Sequence, residues 1–220
     1  MPIGRSAALL LCLSASVALP GCAGPGPTPE PGVSLAGSWK LNHAASDDPQ
    51  KILDKWRVEA FRMIARAQAA QGNAPPPIPG ADTGGAHLGP RPDPLLHSPM
   101  AHIVNLLIAR GDVLVVRQSP EEIVFDYGAT RRSFTPGGHS VVSAEGGVAD
   151  QTSGWKGKEY RINIKPQNGP QVTETYGLAP GGKQLIDQVH IAPAEFPSVT
   201  IKRVYDAAEE TPQHQLPVSD

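Results

Sequence analysis

The fold is decided by residues 159–192, which read EYRINIKPQNGPQVTETYGLAPGGKQLIDQVHIA. Apolar and polar side chains alternate along this stretch, with Tyr160, Ile162 and Ile164 on one face and polar residues between them. A period of two is typical of a half-buried β-strand. Asn168-Gly169 and the PGG sequence at 180–182 interrupt the alternation, and both are turn sequences that connect antiparallel strands. The stretch therefore predicts three consecutive antiparallel strands.

The same pattern continues towards both ends of the chain. Eight or nine such segments, separated by tight turns, predict a mainly β fold: an antiparallel up-and-down barrel with an apolar inside and a wet outside. A β-sandwich of two sheets is the alternative. The ten candidate segments from which the eight or nine strands are drawn are Val33–Asn42, Val113–Gln118, Glu122–Tyr127, Thr130–Thr135, His139–Ala144, Gly154–Lys156, Glu159–Lys165, Gln171–Leu178, Gln184–Ile191 and Ser198–Tyr205.

A helix-loop-helix insertion is predicted at about 47–110, between the first two strands. Asp48 and Pro49 provide an N-cap and a first helical residue, and apolar residues then recur at helical spacing over about five turns. Ser98 and Pro99 repeat this start, and Gly111 is placed as a helix stop. Residues 71–91 are rich in Gly, Pro and Ala, which predicts a mobile loop.

The N-terminus has the features of an export signal. Arg5 precedes the apolar run Ala7–Leu19, which is too short to span a bilayer. Leu19-Pro20-Gly21-Cys22 resembles the bacterial lipobox. That resemblance implies removal of residues 1–21, acylation of Cys22 and attachment to the cell envelope. Ala23 stands where an aspartate would retain a lipoprotein at the inner membrane, so the resemblance favours the periplasmic face of the outer membrane.

The predicted barrel lies between a tether and a tail, and the cysteine count and net charge of the chain exclude a disulfide-stabilised domain and a nucleic-acid-binding protein. Residues 22–32 are Gly- and Pro-rich and are predicted to form a tether, followed by a domain at 33–208 and a disordered tail at 209–220. Only Cys22 remains after loss of Cys12 with the signal, so the domain has no internal disulfide. The net charge of −2 provides no basic excess for nucleic acid.

Residues 35–42, LAGSWKLN, resemble the opening strand of lipocalin-like barrels. The resemblance implies that Gly37 and Trp39 form the barrel floor and that Arg203, in the last strand, lies over Trp39. The order of further motifs, including Gly-Trp-Lys-Gly at 154–157 and Arg-Val-Tyr-Asp at 203–206, is similar to exported bacterial lipoproteins with a lipocalin-like (calycin-type) domain and no assigned activity. The chain departs from secreted lipocalins by its helical insertion and its lack of disulfides.

No catalytic or cofactor motif is present. The seven histidines are scattered, without the spaced pairs that place two metal ligands on one helix face. The chain has neither Gly-x-Ser-x-Gly nor a cysteine left free for catalysis. The paired glycines are placed as hairpin turns and not as phosphate-binding loops. We expect no cofactor and no metal.

Glu174 is the residue most suggestive of a site, since it shares a strand face with Val172 and Tyr176. An inward carboxylate requires a partner, and Asp187 is a similar case. Arg131, Arg132 and Arg203 are the candidate cations. A structural network is one interpretation, and a polar ligand pocket, with Tyr160 in its wall, is the other. The candidate ligand-binding residues are Glu174, Tyr176, Tyr127, Trp155, Asp126 and Arg132.

The leading functional hypothesis is a non-enzymatic envelope lipoprotein that binds a small apolar or amphipathic ligand in the barrel. A protein-binding periplasmic lipoprotein, such as a protease inhibitor or assembly factor, is the alternative. A third hypothesis is an enzyme that uses Glu174 and nearby arginines. It requires a carboxyl group with a raised pKa in an open cleft, whereas a structural role requires a sealed salt bridge.

Overall fold

The computed structural model describes residues 24–70, 92–144, 147–194 and 196–208. Within these ranges, ten strands and two helices form the domain. The strands are β1 Gly37–Leu41, β2 Val113–Gln118, β3 Ile123–Asp126, β4 Arg131–Phe134, β5 His139–Ala144, β6 Gly147–Lys156, β7 Glu159–Pro166, β8 Gln171–Leu178, β9 Gln184–Ala192 and β10 Val199–Ala207, and the helices are α1 Pro49–Ala70 and α2 Pro99–Ile108.

All ten strands belong to one antiparallel sheet in the order β4-β3-β2-β1-β10-β9-β8-β7-β6-β5. Every neighbouring pair joins consecutive strands except β1 and β10, which bring the two halves of the meander together. The mainly β, antiparallel up-and-down fold with a helical insertion between the first two strands is confirmed, with ten strands in the described part of the chain instead of eight or nine. Because all the described strands belong to one sheet, the sandwich alternative is wrong. Among the described residues, β4 and β5 remain unpaired edges, so the curled sheet forms a half-barrel that is open between them.

The strands alternate in direction, so the turns gather at two ends. We call the end with the turns after β2, β4, β6 and β8 the closed end, and the end with α1 and α2 the helical end. Aromatic side chains fill the closed end: the rings of Phe125 and Tyr176 stack at 4.0 Å, and Trp155 meets Tyr160 edge-on at 5.2 Å. The interior of the barrel at the closed end is therefore filled by side chains.

The helices cover the other end. Asp48 accepts a hydrogen bond from the Gln50 backbone N–H at 3.0 Å, and Pro49 begins α1 as predicted. One face of α1 is buried at Leu53, Trp56 and Ala60. This face packs with α2 against the upper parts of β8, β9 and β10, as the apolar periodicity of the insertion requires.

The segment predicted to be a tether lies instead against the closed end. Gly26 and Trp155 exchange two backbone hydrogen bonds of 2.7 Å, and the Glu30 N–H donates to the Gly157 carbonyl at 3.1 Å. We call residues 24–32 the N-terminal strap. Its docking depends on backbone groups, so it needs no apolar side chains. Gly154 permits the close approach, since a Cβ there would lie 2.5 Å from the Gly26 oxygen.

Several sequence predictions fall on residues outside the described ranges. These are the signal peptide at 1–21, the lipidated Cys22, the loop at 71–91 and the tail at 209–220. None of the helices in the described part of the chain has the length and apolar character needed to cross a membrane.

We expect Gly154→Ala to displace the strap, because the added methyl would lie 2.5 Å from the Gly26 oxygen and 2.7 Å from the Gly137 nitrogen. The free energy of unfolding should fall by about 1–3 kcal/mol, as for other overpacked sites. Urea unfolding measures this loss, and amide hydrogen exchange at Gly26 reports the displacement. Gly24→Ala is the matched control, since it meets nothing within 4 Å. A Gly26 amide as protected in the variant as in the parent would contradict the prediction.

Candidate functional site

A layer of buried charged side chains separates the aromatic closed end from the helical end. Glu174 on β8 is 2% exposed, Asp187 on β9 is fully buried and Arg203 on β10 is 3% exposed. Their inward direction follows from strand geometry, because alternate residues of a strand point to the same side. Glu174 lies between the inward residues Val172 and Tyr176.

Glu174 is the most fully bonded member of this layer. Its Oε1 lies 2.5 Å from Arg110 Nη1 and accepts a hydrogen bond from the Tyr176 hydroxyl at 2.6 Å, and its Oε2 lies 2.5 Å from Arg132 Nη1. Burial by itself would raise the pKa of Glu174, but the charges of Arg110 and Arg132 hold that pKa well below its usual range. Glu174 is thus an ionised partner of two arginines, which is the opposite of what an acid catalyst requires.

Asp187 has a different electrostatic position. Its Oδ2 lies 3.1 Å from Arg110 Nη1, while its buried Oδ1 has no hydrogen-bond partner among the described residues. Burial and the negative charge of Glu174 raise the pKa of Asp187 to about 7, against the opposing effects of Arg110 and Arg203. Asp187 therefore holds a proton under conditions in which an ordinary aspartate is ionised.

Two tyrosines extend the hydrogen-bond network of Glu174 towards the closed end. The hydroxyl groups of Tyr127 and Tyr176 lie 2.7 Å apart, and the guanidinium of Arg110 lies over the Tyr127 ring at 4.9 Å. Burial raises the pKa of both tyrosines, so they remain protonated and donate or accept hydrogen bonds. Connected hydrogen bonds of this kind reinforce one another in a low-dielectric interior.

Arg203 fixes the end of α2. Its guanidinium donates to the Leu107 carbonyl and, at 3.4 Å, to the Gly111 carbonyl, and it lies over the Tyr205 ring at 5.5 Å. The expectation that Arg203 covers Trp39 is wrong. The strand register places Trp39 opposite Ala207, four residues further along β10.

The remaining floor residues do form part of the solid closed end. Trp39 is buried among apolar side chains, and its indole Nε1 donates to the Leu35 carbonyl at 3.1 Å. Gly37 lies directly against the indole, since a Cβ there would be 3.4 Å from Nε1.

A cavity of about 490 Å³ lies beneath α2, beside the opening between β4 and β5. Arg110, Arg132 and Glu174 provide its charged part, so the cavity reaches the buried layer from the helical end. Its other walls are mostly apolar. They include Ile103, Leu106, Leu107, Val142, Ile164, Val172 and Val189.

The predicted site residues separate into three groups. Glu174 and Arg132 line the cavity. Tyr127 and Tyr176 lie under its floor and not in its wall, because their hydroxyls point to the buried network. The other two are remote from the cavity. Trp155 packs at the closed end, and Asp126 forms a partly exposed ion pair of 3.4 Å with Arg117.

Two further residues named in the sequence analysis lie away from the cavity, and one residue of the charged layer was not predicted. Tyr160 packs against Trp155 at the closed end and so is not a cavity wall. Arg131 is exposed. Arg110, which contacts both buried carboxylates, was not predicted. It follows a helix and precedes Gly111, a position in which an arginine is ordinarily interpreted as a helix-end cation.

A larger cavity of about 670 Å³ lies near the start of α1 and shares Arg110 and Arg203 with the charged layer. Its other walls come mainly from the polar segment at residues 43–51, so it offers little apolar surface. Within the residues that the structure describes, no group of three or more His, Cys, Asp or Glu side chains is placed to hold a metal ion.

No protein-family model matches the chain, and no curated protein matches it in sequence. Among solved structures, it is similar to Caenorhabditis elegans lipid binding protein 8, with 13% identity and a TM-score of 0.44 over 80% of this chain and 99% of that chain. It is also similar to a brain fatty acid-binding protein of Drosophila melanogaster (12%, TM-score 0.43, 79% and 100%) and to secretory abundant heat soluble protein 4 of Ramazzottius varieornatus (16%, 0.40, 79% and 94%). At these low scores and identities the likeness does not extend to function, which has to be inferred from the chain's own residues.

Glu174→Gln should lower the free energy of unfolding by about 3–5 kcal/mol, because it leaves two buried arginines without their shared anion. Urea unfolding at pH 7 measures the loss. Glu159→Gln is the matched control, since Glu159 is half exposed and lies 3.8 Å from Arg161, and exposed pairs of this kind contribute little. Equal effects of the two substitutions would show that the Glu174 contacts do not stabilise the fold.

Asp187 should make stability depend on pH. The unfolded chain releases this proton near pH 3.9, whereas the folded protein holds it to about pH 7. Stability should therefore fall as pH rises from about 4 to about 7. Asp187→Asn removes this contribution, so the stability of the variant relative to the parent should increase by about 2.5 kcal/mol from pH 5 to pH 8. Urea unfolding at both pH values measures the difference, and a difference independent of pH would contradict the assignment.

Proposed function

We propose that this protein binds a small amphipathic molecule in the cavity beneath α2 and does not catalyse a reaction on it. One observation carries the proposal: a cavity of about 490 Å³ combines mostly apolar walls with Arg110, Arg132 and Glu174 in its floor. Small-molecule sites have volumes of roughly 300–1,000 Å³ and this same combination of apolar lining with a few polar groups.

The charge of the layer favours a ligand with an anionic head group. Three guanidinium groups face two carboxyl groups, and Asp187 is protonated below about pH 7, so positive charge is in excess. Arg132 is the most accessible of the cations that contact Glu174, with 21% of its side chain exposed against 10% for Arg110. We therefore assign Arg132 as the head-group contact.

The apolar part of the ligand would lie along α2 and the neighbouring strands. Ile103 and Leu106 line the cavity from above, and Val142 and Ile164 line it from the sheet. Burial of apolar surface there would contribute about 25 cal/mol per Å². The opening between β4 and β5 gives this surface a route to solvent.

We further propose that the protein lies in the cell envelope, on the periplasmic face of the outer membrane, with a lipid on Cys22. Its support is the apolar run Ala7–Leu19, the lipobox-like Leu19-Pro20-Gly21-Cys22 and the residue Ala23. Acyl chains contribute about 0.8 kcal/mol per buried methylene, so two or more provide stable anchoring.

Native mass spectrometry of the mature domain, purified gently from the periplasm without its lipid, tests for a bound molecule. We expect an adduct of a few hundred daltons, the size that a cavity of this volume holds. A clean mass for the unliganded protein across independent preparations, together with no binding of an added amphipathic anion, would overturn the proposal.

Arg132→Gln should weaken binding of the amphipathic anion 1-anilinonaphthalene-8-sulfonate by about tenfold, the loss expected for one charge-assisted contact. Fluorescence titration measures the affinity. Arg131→Gln is the matched control, because Arg131 is the neighbouring residue, carries the same charge and is exposed. Thermal unfolding shows whether each variant is folded. An equal loss for both variants would show a general effect of charge and exclude Arg132 as the head-group contact.

A further inference from the structure

We propose that the docked strap orients the lipid-anchored protein, with the closed end of the barrel against the membrane and the helical end, with its cavity, facing away. The partner is the lipid surface in which the acyl chains of Cys22 are inserted. This inference rests on the proposed lipidation of Cys22.

The first step is the attachment of the strap. Gly26 and Trp155 are joined by backbone hydrogen bonds in both directions, each 2.7 Å long, and the Glu30 N–H donates to the Gly157 carbonyl at 3.1 Å. The strap therefore follows the β6–β7 hairpin in the manner of an added strand segment. Pro27 also lies beside the β4–β5 turn, 3.3 Å from where a Cβ on Gly137 would be.

The strap lies only a short distance along the chain from the proposed anchor at Cys22. Cys22 precedes Gly26 by four residues, and four extended residues span at most about 14 Å. A free tether of residues 22–32 would reach more than twice as far. Docking of the strap thus keeps the β6–β7 hairpin within a short distance of the lipid head groups.

The position of the β6–β7 hairpin determines which end of the barrel faces the membrane. The β6–β7 hairpin belongs to the closed end, whereas α1, α2 and the cavity lie at the other end of the strands. A strand of nine residues is about 30 Å long. When the closed end faces the bilayer, the cavity opens to the aqueous compartment.

The described residues of the closed end do not form a basic membrane-binding surface. Its exposed lysines Lys156, Lys158 and Lys183 are accompanied by the exposed acidic residues Glu30, Glu121, Glu122 and Glu159. The charges therefore balance approximately, and the orientation comes from the anchor and the strap. It should persist at high salt, unlike orientation by electrostatic attraction.

The experiment measures energy transfer from a labelled residue to an acceptor on lipid head groups. The full lipidated chain, as Lys158→Cys or as Arg66→Cys, is labelled with a fluorescein donor and reconstituted in phosphatidylcholine vesicles that contain rhodamine-labelled phosphatidylethanolamine. Lys158 lies in the β6–β7 turn and Arg66 in the exposed second half of α1. We expect at least twofold greater transfer efficiency from position 158, both in low salt and in 0.5 M NaCl. Lys183→Cys provides a second closed-end position if Lys158→Cys does not fold.

A linker of about twelve Gly and Ser residues, inserted between Ala23 and Gly24, provides the decisive variant. It leaves the strap sequence intact but adds about 20 Å of flexible reach, so the difference between the two positions should largely disappear. Equal transfer from both positions in the parent chain, or greater transfer from position 66, would overturn the orientation. Failure of the full chain to float with the vesicles would overturn the lipid anchor and the orientation together, which distinguishes the two proposals.

Discussion

The contact on which the rest of the structure depends is that of the Arg110 guanidinium with Glu174 and Asp187. It connects the end of α2 to β8 and β9 with distances of 2.5 Å and 3.1 Å. Removal of these charges from water costs several kcal/mol per ion and is tolerated only where the partners are close and hydrogen-bonded. Arg203 adds two contacts to the same chain segment. Together they determine where α2 lies above the barrel, and so the shape of the cavity.

The sequence predicted the parts of this site that depend on local periodicity. Glu174 and Asp187 could be placed inside because a strand repeats every two residues and their neighbours on the same face are apolar. Arg110 could not be placed, because it lies in a connection, where tertiary contacts alone decide the direction of a side chain. The position of Arg203 was misjudged for a related reason. The alternation along a strand shows which side chains point inward, but the residue on the neighbouring strand that each one faces depends on the register.

The strap illustrates a different limit of sequence analysis. Residues 24–32 have the composition of an unstructured linker, with many Gly and Pro residues and few that bury apolar surface. Their docking uses backbone groups, which every residue possesses, and the absence of a side chain at Gly154. Neither feature leaves a periodic or compositional signal. Extended segments that add to a sheet edge or hairpin are therefore recognised only once the surface that receives them is known.

The unpaired edges β4 and β5 bear on the range of volumes that the cavity can adopt. In a fully closed barrel, widening the interior requires rupture of ladder hydrogen bonds. Here the ladder ends at β4 on one side and β5 on the other, and Arg132 and Val142 from these two strands line the same cavity. Separation of the edges would break side-chain contacts but no backbone ladder bonds. The largest volume that the cavity can reach is consequently set by how far β4 and β5 can separate, and the volume at rest does not define it.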